Sequence, residues 1–236
     1  MTAALHVHPT TALAERVLLP GDPGRALLLA QTLLEQPKMF NHNRGLWGYT
    51  GIAADGAPLT IQSTGMGGPS AAIVIEELVQ LGARRFVRVG TCGALVGGFA
   101  LGDAIVAAEA VAGDGTSRAL GAGERVAGDP ELTAALVAAA ERAGGARRGV
   151  VITTDLFYDP DGNHADPGSS PASEPALAIE METATLFQLA ARRGVEAGCV
   201  LAVSDLLGPA RGRIAIAAME AAAERIGRIA IAALAV

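Results

Sequence analysis

The order of apolar and polar positions along the chain predicts short strands that alternate with longer helices. Apolar stretches bounded by glycine or proline, such as "RVLLPG", "RFVRVG", "GVVITTD" and "GCVLAVSD", have the length and composition of buried strands. The segment "GPSAAIVIEELVQLGAR" has its apolar residues at helical spacing, and Gly82 is placed to end that helix. Residues 130–144, the stretch "METATLFQLAARRG" and roughly residues 210–234 are predicted as further helices.

Strands that alternate with helices are typical of an α/β fold, in which helices cover a largely parallel sheet. We therefore predict one domain over residues 1–236, with a central mixed, mostly parallel sheet flanked by helices. Residues 1–15 lack periodicity and are expected to form an N-terminal arm. Residues 157–176 include the run "PDGNHADPGSSPASEP" and are expected to form a long loop, which is either a functional lid or disordered.

Glycines, hydroxyls, arginines and carboxylates gather at the ends of the predicted strands. They occur in the stretches "PGDPGR", "STGMGG", "RVGTCG", "TTDLFY", "IEME" and "VSD". In open α/β sheets, ligands bind beyond the carboxyl ends of the strands. The sequence therefore predicts one composite site at that edge of the sheet.

Composition limits which functions remain possible. Half of the residues are hydrophobic and only 18% are charged, so the chain can bury a sizeable core. The net charge is -6 and adjacent basic residues occur only as isolated pairs, which argues against a nucleic-acid partner. No segment resembles a signal peptide or a membrane span, so we expect a cytoplasmic protein without a membrane partner.

Several familiar catalytic and cofactor motifs are absent or incomplete. The only lysine, Lys38, lies in a loop-like stretch, which leaves P-loop and Schiff-base chemistry without a candidate. The segment "GMGGPS" lacks the last glycine of a dinucleotide fingerprint and the acidic residue about 20 positions further on. No GxSxG elbow occurs, and beyond a weak "HVH" the histidines show no metal-ligand spacing. Cys92 has no histidine nearby in sequence to activate it, so packing explains it better than catalysis.

Two arginines beside glycine turns form a candidate anion site. Arg25 lies at the start of a predicted helix, whose first N–H groups and dipole favour negative charge. Arg88 leads into a glycine turn, where the hydroxyl of Thr91 can donate a hydrogen bond. Either arginine alone would be explained by a surface ion pair. Both together, each at the end of a strand, favour a bound phosphate or carboxylate.

Carboxylates form a second cluster. Glu180 and Glu182 flank Met181 where a predicted strand becomes a helix. They are either the acidic residues common at helix N-termini or ligands of a sugar diol, with the methionine packing against the sugar. Asp205 ends the apolar strand "VLAVSD" and is either the cap of the next helix or an acid–base group.

Taken together, seven stretches resemble the bacterial trimeric or hexameric purine nucleoside phosphorylases, within a nucleoside phosphorylase family that also includes uridine phosphorylases. They are "LLPGDPGRA", "FNHNRGLWGYTG", "STGMGGPSAAIVIEEL", "VRVGTCGA", "DLFYDPDG", "EMETATLF" and "VSD", in the family's order and over nearly the full chain. The resemblance implies reversible phosphorolysis of purine (deoxy)ribonucleosides to free base and (deoxy)ribose 1-phosphate. It further implies phosphate as co-substrate, no metal or organic cofactor, and a homo-oligomer, a hexamer, with sites shared between subunits.

The resemblance also assigns roles to individual residues. The phosphate would be held by Gly21, Arg25, Arg44, Arg88, Val89, Gly90 and Thr91. The nucleoside would be bound by His6, Phe157, Glu180, Met181, Glu182, Ser204 and Asp205. Phe157 would stack on the base, and Asp205 would protonate the purine N7 as general acid. Arg44 and His6 resemble residues that a neighbouring subunit supplies, and His8 lies close enough to His6 to leave that register open.

One departure from the family pattern concerns the helper of Asp205. The family's purine enzymes carry an arginine in the helix after "VSD", whereas this chain has Arg211 and Arg213 in a shortened segment before that helix. Either one of these two arginines has assumed the role of the helper, or the site works without a helper. We take Arg213 as the catalytic candidate. The preference between 6-amino and 6-oxo purines is therefore open.

Other activities share much of this pattern. A uridine phosphorylase would need a glutamine and an arginine for the pyrimidine carbonyls near residues 155–165, and "DLFYDPDGNH" has neither. A related nucleosidase would use water and would need no grip on phosphate. A non-catalytic binding protein of the same fold would not need Asp205. We therefore expect a purine nucleoside phosphorylase, with a uridine phosphorylase or a nucleosidase as the alternatives.

Overall fold

A computed structural model of the chain describes residues 4–158, 175–207 and 211–235. Within these ranges the chain forms one mixed sheet of eleven strands, six α-helices and a short 3-10 turn (Asn43–Gly45). The strands are β1 (Arg16–Leu19), β2 (Leu34–Asn41), β3 (Gly48–Ala53), β4 (Pro58–Gln62), β5 (Arg85–Ala94), β6 (Ala104–Ala112), β7 (Arg125–Ala127), β8 (Arg147–Thr153), β9 (Ala178–Glu180), β10 (Glu196–Leu206) and β11 (Gly212–Arg213). The helices are α1 (Pro23–Leu33), α2 (Gly68–Leu81), α3 (Gly115–Ala119), α4 (Pro130–Arg142), α5 (Thr183–Arg193) and α6 (Ile216–Leu234). The predicted α/β fold, with a mixed sheet flanked by helices, is confirmed.

One half of the sheet closes into a ring of strands. β5 pairs with β10 along its length, β10 also pairs with β6, and β8 and β9 complete the circuit back to β5. The two longest registers, β5 with β10 and β6 with β8, are parallel. The other half is open and runs from β5 through β1 and β4 to the antiparallel strands β3 and β2. β5 therefore borders both halves of the sheet.

Helices cover the sheet on two faces. α1, α4 and α6 pack their apolar residues into one core, which contains Leu29, Leu136 and Ile226. α2 and α5 contribute to a second core around Val74 and Phe187. Each of these helices buries one face, as the spacing of its apolar residues predicts. The two cores hold the strands between them.

Several elements differ from what the sequence predicts. β2 is an edge strand that contains Pro37, and its middle residues are exposed, so it lacks the apolar alternation of a buried strand. α3 and β7, which were not predicted, are only five and three residues long. The last helix begins at Ile216, later than expected, because Gly212 and Arg213 pair with β10.

The N-terminal arm lies against the domain. The N–H of Thr10 donates a hydrogen bond to the carbonyl of Phe40 at 2.8 Å, and Val7 is fully buried. Residues 159–174 of the expected loop lie outside the described residues, and the lid remains a prediction. No helix in the described ranges is long and apolar enough to cross a membrane.

Candidate active site

Arg88 lies in β5, and its side chain is buried against two carboxylates. Its Nε donates to Oε2 of Glu180 at 2.9 Å, and its Nη2 lies 2.6 Å from Oε2 of Glu182. A Cβ at Gly90 would lie 2.7 Å from Cζ of Arg88. The guanidinium therefore lies directly over Gly90, where a larger residue would collide with it. Burial by itself lowers the pKa of Arg88, but the charges of Glu182 and Glu180 outweigh it and raise that pKa. The guanidinium is therefore charged.

Glu180, at the end of β9, holds Arg88 in place. Its carboxylate accepts hydrogen bonds from Oγ1 of Thr153 and from the N–H groups of Glu182 and Thr183, the two amides at 2.9 and 3.0 Å. Both amides belong to the start of α5, where N–H groups have no partner within the helix. With Arg88 as a further donor, both oxygens of Glu180 are engaged within the protein. Glu180 thus fixes Arg88 relative to α5.

Glu182 joins Arg88 to the glycine-rich segment before α2. Its Oε1 accepts a hydrogen bond from the N–H of Gly67, while Oε2 contacts Arg88. Gly67 has a φ of 85°, in the left-handed region that favours glycine. Burial raises the pKa of Glu182, and the charge of Arg88 opposes that rise. Met181, the preceding residue, is partly exposed.

Arg25 brings a second guanidinium to this region from the first turn of α1. Asp22 caps α1 by accepting a hydrogen bond from the N–H of Arg25 at 2.7 Å. The two glycine turns are joined, because the N–H of Gly65 donates to the carbonyl of Gly21 at 3.0 Å. Nη1 of Arg25 is buried and has no hydrogen-bond partner within the described residues. Burial and the nearby charge of Arg88 both lower the pKa of Arg25, so a bound anion would satisfy the donor and balance the charge.

Three further residues predicted to bind phosphate, Val89, Gly90 and Thr91, lie along β5. Val89 and Gly90 are buried in the strand, which continues to Ala94. The prediction of a glycine turn after Arg88 is therefore wrong, because the glycines pair within the sheet. Thr91 is partly exposed, and its hydroxyl makes no hydrogen bond in the part of the chain that the structure describes. This hydroxyl is free to donate to a ligand.

Asp205 lies near the carboxyl end of β10, at a bulge. The register with β5 shifts between Val203 and Asp205, so that Ser204 is the extra residue. The hydroxyl of Ser204 donates to Oδ2 of Asp205 at 2.8 Å. Arg213 of β11 pairs with Asp205 of β10 in antiparallel register. This pairing brings Nε of Arg213 to 3.7 Å from Oδ1 of Asp205. Of the two candidate helper arginines, the structure thus places Arg213 beside Asp205.

β5, which carries Arg88, also pairs with the strand that carries Asp205. Gly93 of β5 pairs with Asp205 on one side and with Ile179 of β9 on the other. β5, the strand that carries Arg88, therefore lies between β9, which ends at Glu180, and β10, which carries Asp205. The fold thus brings Arg88, Glu180 and Asp205 onto three adjacent strands.

Phe157 lies where the described part of the chain is interrupted. Its side chain is 55% exposed and packs edge-on against Tyr158, with ring centroids 5.0 Å apart. The stretch is attached to the start of α3, since Oδ2 of Asp155 accepts a hydrogen bond from the N–H of Gly115 at 2.7 Å. The role of Phe157 in stacking on a base remains a prediction.

His6 and Arg44 are brought close together by the arm. Nδ2 of Asn43 donates to the carbonyl of His6 at 3.0 Å, and Arg44 follows Asn43 in the 3-10 turn. Arg44 is exposed, has a φ of 56° and makes no ion pair within the described ranges. The ring of His6 contacts Glu77 of α2, whereas the ring of His8 contacts a carbonyl of the arm itself. The backbone of His6 thus lies next to the turn that carries Arg44.

Metal-ligand and thiol groups are not arranged for catalysis in the described ranges. These residues contain no group of three or more His, Cys, Asp and Glu side chains that could hold a metal ion. Cys92 and Cys199 are buried, and burial raises the pKa of Cys199 to about 12. A buried thiol with a raised pKa supplies little of the thiolate that nucleophilic attack requires.

Three residues that bind the predicted site residues were missed by sequence reasoning, namely Thr153, Gly67 and Glu77. Thr153 and Gly67 lie in stretches that the sequence places at strand ends, but their partners Glu180 and Glu182 lie far away in sequence. Glu77 is one of two adjacent glutamates on α2, and its partner, the arm, lacks periodicity. No pattern in the sequence could have singled it out.

Comparison with known proteins identifies the family. A model of the phosphorylase superfamily matches residues 15–235, and the chain belongs to this superfamily. A "Purine nucleoside phosphorylase DeoD-type" of Geobacillus kaustophilus is 38% identical over 207 residues, which cover 86% of this chain and 86% of the relative. Proteins of the same name from Caldanaerobacter subterraneus subsp. tengcongensis and Bacillus cereus (strain ZK / E33L) are 39% and 40% identical. The two alignments cover 83% and 82% of this chain, and 84% and 82% of the respective relatives. The predicted resemblance to the purine nucleoside phosphorylases is confirmed.

Proposed function

We propose that the chain catalyses the reversible phosphorolysis of purine ribonucleosides and deoxyribonucleosides, with the pentosyl group transferred to phosphate. The observation that carries the proposal is Nη1 of Arg25, a buried donor without a partner within the described residues, close to Arg88. A phosphate oxygen would satisfy this donor, and the glycine turns and the start of α1 offer further N–H groups to the same anion. The name shared by the relatives, purine nucleoside phosphorylase, agrees with this chemistry.

Phosphate acts in this reaction as nucleophile and as stabilising charge. The glycosidic bond breaks through a state in which the sugar carries positive charge, and a phosphate held against the sugar stabilises that charge. Arg25 and Arg88 orient the phosphate before the reaction, which lowers the entropic cost of the step. Gly21, the backbone of β5 and the hydroxyl of Thr91 complete the phosphate site. No metal or organic cofactor enters this scheme.

Glu182 and Met181 hold the sugar in the proposed complex. Glu182 accepts hydrogen bonds from the ribose hydroxyls, and Met181 packs against the ring. The oxygens of Glu180 are already engaged by Arg88, Thr153 and the start of α5. Glu180 therefore serves the nucleoside site by holding its neighbours in position.

Asp205 acts on the leaving base. Protonation of the purine N7 removes the negative charge that develops on the base as the glycosidic bond breaks, which is general acid catalysis. Arg213 and the hydroxyl of Ser204 orient Asp205 and stabilise the carboxylate that remains after proton transfer. Phe157 stacks on the base.

The assembly that we infer is a homohexamer with sites shared between subunits. Arg44 is exposed and without an ion pair in the described part of its own chain, and the backbone of His6 contacts the neighbouring residue Asn43. Arg44 supplies a third cation to the phosphate of a neighbouring subunit, and His6 contacts the 5′-hydroxyl of the sugar bound there. A fully active monomer in analytical ultracentrifugation would refute this sharing.

A substrate panel tests the proposed reaction. Inosine, guanosine, adenosine and uridine are incubated with and without phosphate, and base, ribose and ribose 1-phosphate are quantified by chromatography. We expect cleavage of the purine nucleosides only with phosphate, and ribose 1-phosphate as the sugar product. Equal rates without phosphate would identify a nucleosidase, and uridine as the best substrate would refute the purine assignment.

A further inference from the structure

Glu77 of α2 is a buried carboxylate surrounded by donors from the N-terminal arm. It is 8% exposed and accepts hydrogen bonds from the N–H groups of Leu5, His6 and Val7 at 3.1, 2.9 and 2.7 Å. Nδ1 of the His6 ring lies 2.7 Å from Oε1 of the same carboxylate. One side chain on the domain thus binds three consecutive amides and one imidazole.

This contact determines which nitrogen of His6 carries the proton. An ionised carboxylate can only accept hydrogen bonds, so Nδ1 of His6 must be the protonated nitrogen in the pair. In the neutral ring Nε2 is then the acceptor. The side chain of His6 is 32% exposed, and Nε2 is the ring nitrogen left for an outside partner.

Glu77 remains ionised in this environment. Burial by itself raises the pKa of Glu77, but the hydrogen bonds from Val7 and His6 outweigh burial and hold that pKa below its ordinary value. The arm is fixed from the other side as well, because Nδ2 of Asn43 donates to the carbonyl of His6 at 3.0 Å. The position of His6 is therefore set within its own chain, before any neighbour is bound.

We propose that Glu77 is a positioning residue, which holds His6 as the Nδ1–H tautomer and thereby presents Nε2 as an acceptor to the 5′-hydroxyl of a nucleoside in the neighbouring subunit. This inference rests on the proposed function. Glu77 itself does not touch the substrate. It acts on nucleoside binding through His6 and has no part in phosphate binding.

The experiment compares Glu77→Gln with Glu76→Gln, a matched control. Glu76 is the preceding residue on the same helix, and its ion pair with Arg193 lies at the surface, away from the arm. KM and kcat are measured for inosine and for 5′-deoxyinosine, which lacks the hydroxyl that His6 would bind. The loss of one hydrogen bond predicts a KM for inosine that is about 3- to 10-fold higher in Glu77→Gln. The KM values for 5′-deoxyinosine and phosphate should stay unchanged, and Glu76→Gln should match the parent throughout.

Equal increases in KM for both nucleosides would overturn the proposal, because they would show that Glu77 only holds the arm. A second readout is the ¹⁵N spectrum of the His6 ring at alkaline pH, in which the unsubstituted protein should show a protonated Nδ1 and a free Nε2. A protonated Nε2 would also overturn the proposal, even if Glu77→Gln fails to fold. The milder Glu77→Asp should retain the tautomer and raise the KM for inosine less than Glu77→Gln does. If the unsubstituted protein shows no phosphate-dependent cleavage of inosine, the proposed function fails instead.

Discussion

The phosphate end and the base end of the proposed site are built in opposite ways. At the phosphate end, Arg88 is 5% exposed and lies between buried carboxylates that come from β9 and the start of α5. At the base end, Asp205 contacts Ser204 and Arg213, its near neighbours along the chain, and the side chain of Arg213 is 76% exposed.

This difference predicts that the two ends of the site contribute unequally to the stability of the fold. In a buried network, removal of one charge leaves its partners unpaired in a medium of low polarity, which costs stability. Exposed ion pairs are screened by water and contribute little to folding. We therefore expect substitutions of the buried charges at the phosphate end to lower stability and activity together, and substitutions at the base end to lower activity alone.

The largest effect is expected for Arg88→Met. It leaves Glu180 and Glu182 unpaired and should lower the free energy of unfolding by about 3–5 kcal/mol. The loss of a positioned cation should lower kcat/KM by roughly 1000-fold or more. Urea unfolding and initial rates with inosine measure the two effects. Arg228→Met, which breaks an exposed pair with Glu224, is the control. An Arg88→Met variant of unchanged stability would show that the buried charges do not contribute to folding.

At the base end, Asp205→Asn should lower kcat on inosine by about 100- to 10,000-fold, as expected for the loss of a general acid. Its Tm should stay close to that of the parent. N7-methylinosine already carries the positive charge that protonation would create, so the variant should cleave it nearly as fast as the parent does. A similar loss on both nucleosides would indicate impaired base binding, and an unchanged rate on inosine would refute the catalytic role.

Arg25 lies at the phosphate end but, unlike Arg88, has a guanidinium nitrogen without a partner among the described residues. Arg25→Gln should raise the KM for phosphate about 10- to 100-fold, the expected effect of one charged hydrogen bond. Without phosphate, its Tm should change little, since Nη1 has no partner to lose among the described residues. Thermal scans with increasing phosphate should show a weaker rise of Tm than in the parent. An unchanged KM for phosphate would argue against the phosphate site.

The smallest effect is expected for Arg213→Ala. An exposed cation beside Asp205 should contribute about 2- to 5-fold to kcat, and high salt should reduce the difference. Arg211→Ala is the matched control in the same short segment and should leave kcat unchanged. A larger loss in Arg211→Ala than in Arg213→Ala would show that the helper has been assigned to the wrong arginine.

The two ends of the site also differ in how far the sequence predicts them. Asp205, Ser204 and Arg213 lie within one short segment, so a local pattern is enough to propose that they act together. Arg88 is recognisable from the glycines that follow it, although they continue β5 and form no turn, but Glu180, which binds Arg88, lies 92 residues away. Local sequence leaves Glu180 with two interpretations, a sugar ligand or a residue of the helix N-terminus, and its actual contacts with Arg88 and Thr153 come from the pairing of β9 with β5 and β8.

Most helices and strands, the glycine turns at Gly21 and Gly65 and the resemblance to the family can be read from the amino-acid sequence. These features depend on local spacing and backbone conformation, which act over a few residues. The ring of strands, the pairing of Arg88 with Glu180 and Glu182, and the contact between Glu77 and the arm follow from the three-dimensional packing. Each of these requires strand order and register, since charges far apart in sequence meet only where packed elements bring them within hydrogen-bond distance.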